Sequence, residues 1–425
     1  MGHAIRVGFL TLLALAVWSG LFLFGSLEGW WRRPLAARDD PAAFTAAAKR
    51  MIGESSPGAL AFQLIENGRP AGAHFASKGA AVNGDTLFQV ASLSKWITAL
   101  GVMTLVESGK VDLDAPVDTY LKRWKLPASE FDNRQVTVRR ILSHTAGLTD
   151  GLGYGGFKPG EAVQPLAGSL TRAADASPGS DGATRVGRKP GEGWAYSGGG
   201  YTLLQLMIED VTGEPFDAYM RRAVLIPLGM SRSTYVTPDD RVENLAGFYD
   251  VDGSSATHYR FTATGAASLY TSVNDLTRLI QAHLPGPADE PPGRGVVTPQ
   301  TLREMRRGYA SQLGVDIWGL GVVLYAPNNA GGYVIGHDGS NAPAINTAAR
   351  FDPASGDGVI VLESGDRLLA TKLAGEWVFW RTGNVDNFTV LMESRQTLTI
   401  LAVGWLLIAV TGAIAGWRLA RRPRP

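Results

Sequence analysis

A hydroxyl and an amine stand three residues apart in Phe88-Gln-Val-Ala-Ser-Leu-Ser-Lys95, at the start of an apolar run with helical spacing. Residues i and i+3 share a helix face, so Ser92 and Lys95 project together. A serine hydroxyl is a weak nucleophile until a base takes its proton, and a neutral lysine amine can be that base. Burial would favour the neutral amine, because desolvation penalises the ammonium. The chemistry this spacing supports is attack on a carbonyl with formation of an acyl-enzyme. Two fixed positions in four carry little weight alone, so the elements around them decide the reading.

Those elements are legible in outline. An Ala-rich helix over 41–53 precedes a strand over 59–66. Asn67-Gly68, a strong hairpin turn signal, leads to a returning strand over 71–78. The helix that carries Ser92 and Lys95 runs over 92–108 and stops at Gly109, a residue suited to a helix C-terminus. A helix beginning at Val138 ends at Ser143-His144-Thr145, and 201–211 is an amphipathic helix stopped by Thr212-Gly213. Between them, 151–193 is rich in Gly, Pro and Ser, a length that inside a domain usually carries function. A helix over 272–283 and a surface loop over 285–295 follow. Strands are expected over 318–325, 333–337, 345–351 and 359–363, with a closing helix over 368–380. Strands at both ends with helices between them predict an α+β domain, its antiparallel sheet built from the two chain ends around a mostly helical inserted lobe.

Composition narrows the function. The 425 residues carry 40 basic and 39 acidic side chains, a balance without the basic footprint of a nucleic-acid binder. With no cysteine, disulfides, thiol nucleophiles and Cys-ligated metals are excluded. The six histidines form no H-x-x-H or H-E-x-x-H cluster, so no metal or other cofactor is expected. Two uncharged segments, 7–27 and 397–417, have roughly the 20 apolar residues that cross a bilayer. Trp30-Trp31-Arg32-Arg33 borders the first like a membrane interface. Arg418, Arg421, Arg422 and Arg424 follow the second, and the positive-inside rule places them in the cytoplasm. The expected organisation is an N-terminal membrane anchor (1–30), a catalytic domain (41–385), a C-terminal transmembrane helix (397–417) and a basic cytoplasmic tail (418–425), with the catalytic body extracytoplasmic.

Several motifs in order define a resemblance. Phe88-x-Val-Ala-Ser-x-Ser-Lys95, Glu107-Ser-Gly-Lys-Val-Asp-Leu-Asp-Ala-Pro-Val117, Ile141-Leu-Ser-His-Thr-Ala-Gly-Leu148, Tyr196-Ser-Gly198, Glu209-Asp-Val-Thr-Gly213, Pro227-Leu-Gly-Met230 and Gly336-His-Asp-Gly339 follow one another. Over about residues 59–375 the chain is similar to the serine β-lactamase-like superfamily, in the branch of class C β-lactamases, DD-peptidases, D-aminopeptidases and related esterases. The resemblance implies a β-lactamase/transpeptidase-like fold with Ser92 as nucleophile, Lys95 as its base and Tyr196 as a proton shuttle. It implies an oxyanion hole from the backbone N–H groups of Ser92 and Ser340. His337, Asp338 and Gly339 would lie on the strand lining the pocket, with Gly198 at the third position of the tyrosine motif. His144 is expected to be structural, at a helix end away from the nucleophile.

Two departures bear on substrate. Gly198 replaces the asparagine of Y-x-N, removing a side-chain amide. His337 replaces the lysine of K-T-G, and an imidazole with pKa about 6.5 is a poorer carboxylate anchor at pH 7. Both disfavour efficient β-lactam hydrolysis. The reading is a membrane-anchored, extracytoplasmic serine hydrolase acting on an ester or amide, with cell-wall peptide among the candidates. A β-lactamase and a non-hydrolytic penicillin-recognising or scaffold protein are the alternatives.

Overall fold

Leu60, Phe62 and Leu64 alternate with Ala59, Ala61 and Ile65, so β1 (Ala59–Glu66) presents two apolar faces and both are covered. A strand buried on both sides belongs in the middle layer of a sandwich. The computed structural model describes residues 2–55, 58–150, 155–236 and 244–421. Asn67 and Gly68 adopt φ of +49° and +71°, the left-handed values a two-residue hairpin needs, and connect β1 to β2 (Arg69–Ser77). The other strands come from the last third of the chain: β3 (Ala310–Gln312), β4 (Val315–Trp318), β5 (Val323–Pro327), β6 (Tyr333–Asn341), β7 (Ile345–Phe351) and β8 (Gly358–Ser364). They form one antiparallel sheet in the order β2-β1-β8-β7-β6-β5-β4-β3. The two chain ends therefore meet at the β1–β8 pair, as the sequence predicts.

Helices α1 (Gly2–Leu27) and α2 (Pro41–Ser55) precede the sheet. The lobe between β2 and β3 holds α3 (Ser94–Glu107), α4 (Gly198–Thr212) and α5 (Val273–Gln281). After β8 come α6 (Leu369–Thr382) and α7 (Asn387–Ala420). One sheet face packs on α2 and α6 through Phe44, Phe62, Val361, Trp377 and Trp380. The other packs on the lobe through Trp96, Leu100, Met207, Ile360 and Leu362. α3 is buried on nearly every side, the pattern of a central core helix, and its N-terminus is where Ser92 and Lys95 sit.

Two expectations change. The strand expected over 318–325 is two strands, because Gly319 to Val322 turn the chain back on itself. Gly321 has φ +79°, and a Cβ there would lie 2.1 Å from Ala99 of α3, so the turn is pinned where only glycine fits. Of the long loop, 151–154 lie outside the described residues. The rest contains a short helix (Leu166–Thr171) and a strand (Thr184–Val186) paired with Leu148–Asp150.

α1 and α7 are long and apolar enough to cross a membrane. They pack on each other: Trp18 Nε1 donates to Leu401 O at 3.2 Å and Trp405 Nε1 to Ser19 Oγ at 2.8 Å. Gly404 lies under the Trp18 ring with no room for a Cβ, the small-residue contact that lets two apolar helices approach closely.

Candidate active site

The turn that carries Ser92 is built against its own backbone preference. Ala91 has φ +46°, a left-handed conformation costing an L-residue about 1–2 kcal/mol. It is held by packing against Phe248, Tyr270 and Ile345. Buried Ser94 fixes the same turn, donating to Ala91 O at 2.6 Å and accepting from Leu269 N at 2.9 Å. A single 3₁₀ turn, Ala91–Leu93, leads into α3 and aims Ser92 along the face that carries Lys95.

Lys95 is fully buried. Its Nζ lies 3.0 Å from Ser92 Oγ and 2.7 Å from Ala266 O, on a short helix (Thr264–Ala267) that no sequence motif marked. The amine also faces the rings of Tyr196 and Tyr201, 5.1 and 5.7 Å from their centroids. Tyr196 is 38% exposed, so it stands at the mouth of the site while the lysine lies beneath it. Ser92, Lys95 and Tyr196 are thus brought together, from the start of α3 and the start of α4.

His144 is a correction to the expectation that it lies away from the nucleophile. Its backbone carbonyl accepts Ala195 N–H at 2.8 Å and its Nδ1 accepts Ser197 N–H at 3.1 Å, bracketing Tyr196 from both sides. Its ring lies 4.4 Å from the Tyr196 ring. Because Nδ1 accepts, the neutral ring carries its proton on Nε2. Burial, then electrostatic coupling to the neighbouring Lys95 and His337, push its pKa well below the ordinary imidazole value. The hydrogen-bonding role expected of His144 is therefore exercised on the tyrosine loop itself. The missed signal was the pairing of two loops remote in sequence. Ser197 caps α4 through Gly200 N at 2.9 Å, and Gly198 is the first, buried residue of that helix.

On β6, His337 and Gly339 face the turn that carries Ser92. A Cβ on Gly339 would lie 2.1 Å from Val90 O and 3.1 Å from Ser92 N, so only glycine allows this approach. Thr347 on β7 ties the contact by donating to Val90 O at 2.9 Å. β5 pairs with β6 only as far as Gly336, which leaves the following edge of β6 to face Ser92 rather than another strand. Ser340 lies one residue past Gly339 on this segment, opposite Asn346. His337 is buried, shares Nδ1 with Asp338 O at 2.6 Å, and has its pKa pushed down to about 3 by burial and by Lys95. It is a neutral ring.

Asp338 does not join this site. Strand alternation turns it to the opposite face of the sheet, where it binds Arg350 of β7 through two contacts of 2.7 and 3.1 Å and accepts Tyr325 Oη at 2.7 Å. Its expected substrate-binding role is corrected to a structural ion pair. Among the described residues no group of three or more His, Cys, Asp or Glu side chains is placed to hold a metal.

Beside the turn that carries Ser92 lies an open cavity of about 1030 Å³ lined by Ala80, Ala81, Lys158, Leu245, Phe248 and His258 among others. Phe248 joins the two, because it also packs on Ala91. Lys158 and Pro159 come from the Gly-, Pro- and Ser-rich loop over 151–193.

Comparison with known proteins agrees with this architecture. The Beta-lactamase family model matches residues 45–374, and the chain belongs to that family. Penicillin-binding protein 4* of Bacillus subtilis (strain 168) is 32% identical over 177 residues, covering 41% of this chain and 37% of the relative. The match thus spans well under half of that curated relative. Among solved structures, the octameric penicillin-binding protein homologue from Pyrococcus abyssi superposes with a TM-score of 0.65 at 24% identity, covering 81% of this chain and 78% of the other. A D-stereospecific amidohydrolase from Streptomyces sp. gives 0.63 at 21% identity, covering 81% of this chain and 100% of the other. These likenesses show a shared fold.

Proposed function

We propose that the chain is a serine hydrolase that acts through an acyl-enzyme on an ester or amide. The 3.0 Å contact between Lys95 Nζ and Ser92 Oγ, at the start of a buried helix, carries the proposal. Ser92 Oγ adds to the substrate carbonyl carbon as its proton passes to Lys95 Nζ, and the carbonyl π pair moves to oxygen. The backbone N–H groups of Ser92 and Ser340 receive that oxyanion, an interaction worth a few kcal/mol in comparable sites. Collapse re-forms the carbonyl and expels an alcohol or amine, which takes back the proton by way of Lys95 and the Tyr196 phenol. Water then repeats the sequence at the acyl-enzyme, releasing the acid and restoring Ser92.

The substrate side is read from what the pocket offers. A neutral His337 and a side-chain-free Gly198 supply neither a cation nor an amide near Ser92, which favours a simple ester or amide over a β-lactam. Similarity to a D-stereospecific amidohydrolase and a penicillin-binding protein keeps cell-wall peptide among the candidates. The two apolar helices support anchoring in a membrane, with 1–30 and 397–417 as spans around a 41–385 catalytic domain and 418–425 as a tail. The arginines after the second span support an extracytoplasmic body.

Fluorescent penicillin and fluorophosphonate probes on membranes test the reading. Labelling is expected in wild type and absent in Ser92→Ala, with little or no nitrocefin turnover. Failure of both probes on wild type, or labelling that survives Ser92→Ala, overturns it.

A further inference from the structure

A chain of buried charges runs from the back of the catalytic strand to the C-terminal apolar helix. We propose that Asp386 is a positioning residue for the active site, holding β6 through Arg350 so that α7 helps set the geometry of the strand facing Ser92. The links are direct. Arg350 is fully buried, and it grips Asp338, which stands between His337 and Gly339 on β6. Its Nη1 lies 3.1 Å from Asp386 Oδ1, a charge contact rather than an aligned hydrogen bond, with both side chains fully buried. Asp386 is also the N-cap of α7, accepting from Phe388 N at 2.9 Å and Thr389 N at 3.1 Å. Tyr325 completes the cluster: its ring lies 4.0 Å below the guanidinium and its hydroxyl bonds Asp338. Phe388, from the first turn of α7, packs edge-on against Tyr325 at 5.5 Å.

One cation between two carboxylates in a dry setting has a single low-energy arrangement, because each group would be left as an uncompensated buried charge if it moved. Residues 337 and 339 face the nucleophile while 338 is clamped from behind, so the clamp fixes the register and height of both. Asp386 lies beyond residues 45–374, which the family shares, so the clamp's second carboxylate comes with the helix that follows the domain. A second attachment, from Arg32 in the segment after α1 to Glu376 of α6 and Glu393 of α7, does not touch β6.

Asp386→Asn separates the charge from the cap, since asparagine caps a helix about as well as aspartate. In the full chain in detergent or nanodiscs, amide exchange over 333–341 is expected to rise while 59–66 stays as in wild type. The maximal acylation rate by a fluorophosphonate is expected to fall about tenfold with the probe's half-saturation little changed, since small misplacement at a reacting centre costs rate before binding. Glu393→Gln is expected to change neither. If Asp386→Asn does not accumulate, Phe388→Ala loosens the same link with the charges kept, and the same pattern is expected. Wild-type exchange and rates in the variant overturn the proposal, as does exchange that rises evenly across the sheet. The kinetic arm rests on the hydrolase reading. If wild type takes no probe, that reading falls by itself and the exchange arm decides the positioning role.

Discussion

Lys95→Ala and Lys95→Met are both expected to slow acylation of Ser92 by on the order of a thousandfold, within the range for loss of a positioned general base. Lys95 Nζ lies 3.0 Å from Ser92 Oγ, and apart from Tyr196, the proposed shuttle, the titratable rings near the amine among the described residues (Tyr201, His144 and His337) are poor substitutes as a base. Tyr201 is buried with its phenol pKa raised well above the ordinary value by that burial, and its hydroxyl is committed to Leu142 O at 3.1 Å. His144 and His337 are held neutral. The methionine variant matters because it keeps most of the volume, so a loss shared by both variants reports missing base chemistry rather than a collapsed pocket. Second-order labelling rates with a fluorophosphonate measure it. Rates within tenfold of wild type would remove Lys95 from the mechanism.

The imidazoles make a separate forecast. His337 titrates at about 3 and His144 lies well below its ordinary value, both first because of burial and next because of the Lys95 charge. With its pKa pushed down to about 3, the His337 ring does not change charge between pH 5 and 8. The acylation rate of wild type and of His337→Asn is therefore expected to follow the same pH profile in that window, differing in height only. An inflection near pH 6.5 that disappears in the variant would show that His337 titrates as an exposed histidine does.

What the sequence made legible follows from how local each signal is. The β1–β2 hairpin, the helix carrying Lys95 and the glycine stop of α4 rest on neighbours within a few residues and stand close to where expected, although α4 opens at Gly198, three residues before the expected start, and Ser92 lies in the 3₁₀ turn before α3. The Ser92–Lys95 contact is one turn of helix and needed no tertiary knowledge. Tyr196 entered only through motif order, because nothing near it in sequence says that α4 begins at the mouth of α3. His144 was misplaced for the same reason: its partners, Ala195 and Ser197, lie about fifty residues away and bond through backbone groups, which no side-chain pattern reveals. Asp338 was misassigned because the motif was read as a block, whereas strand alternation sends its middle residue to the far face. Ala266, which steadies Lys95, contributes a backbone carbonyl and so left no trace in residue type.

Glu363→Gln is expected to stabilise the protein by about 2–3 kcal/mol at pH 7. The residue sits on β8 opposite Leu60 and Asn346, on the sheet face packed against α2 and α6. Its carboxyl is buried without a well-formed hydrogen bond among the described residues, the Asp366 backbone N–H giving only partial relief. Burial, then the charge of Asp366, push its pKa up to about 9 from an ordinary 4.5. The sign follows from proton linkage. Below pH 4.5 both folded and unfolded chains are protonated and the residue is harmless. From there to about pH 9 the unfolded chain gains its favourable charge while the folded one cannot, so stability falls by roughly 1.4 kcal/mol per pH unit. At pH 7 that amounts to about 3 kcal/mol, part of which the glutamine still forfeits as a buried amide. The melting temperature of the variant relative to wild type should therefore rise steadily from about pH 4.5 to pH 9, with the variant the higher of the two at pH 7 and above. Parallel curves, or a variant less stable than wild type at pH 8, would mean that this carboxyl is ionised in the folded chain and has a partner that holds it so.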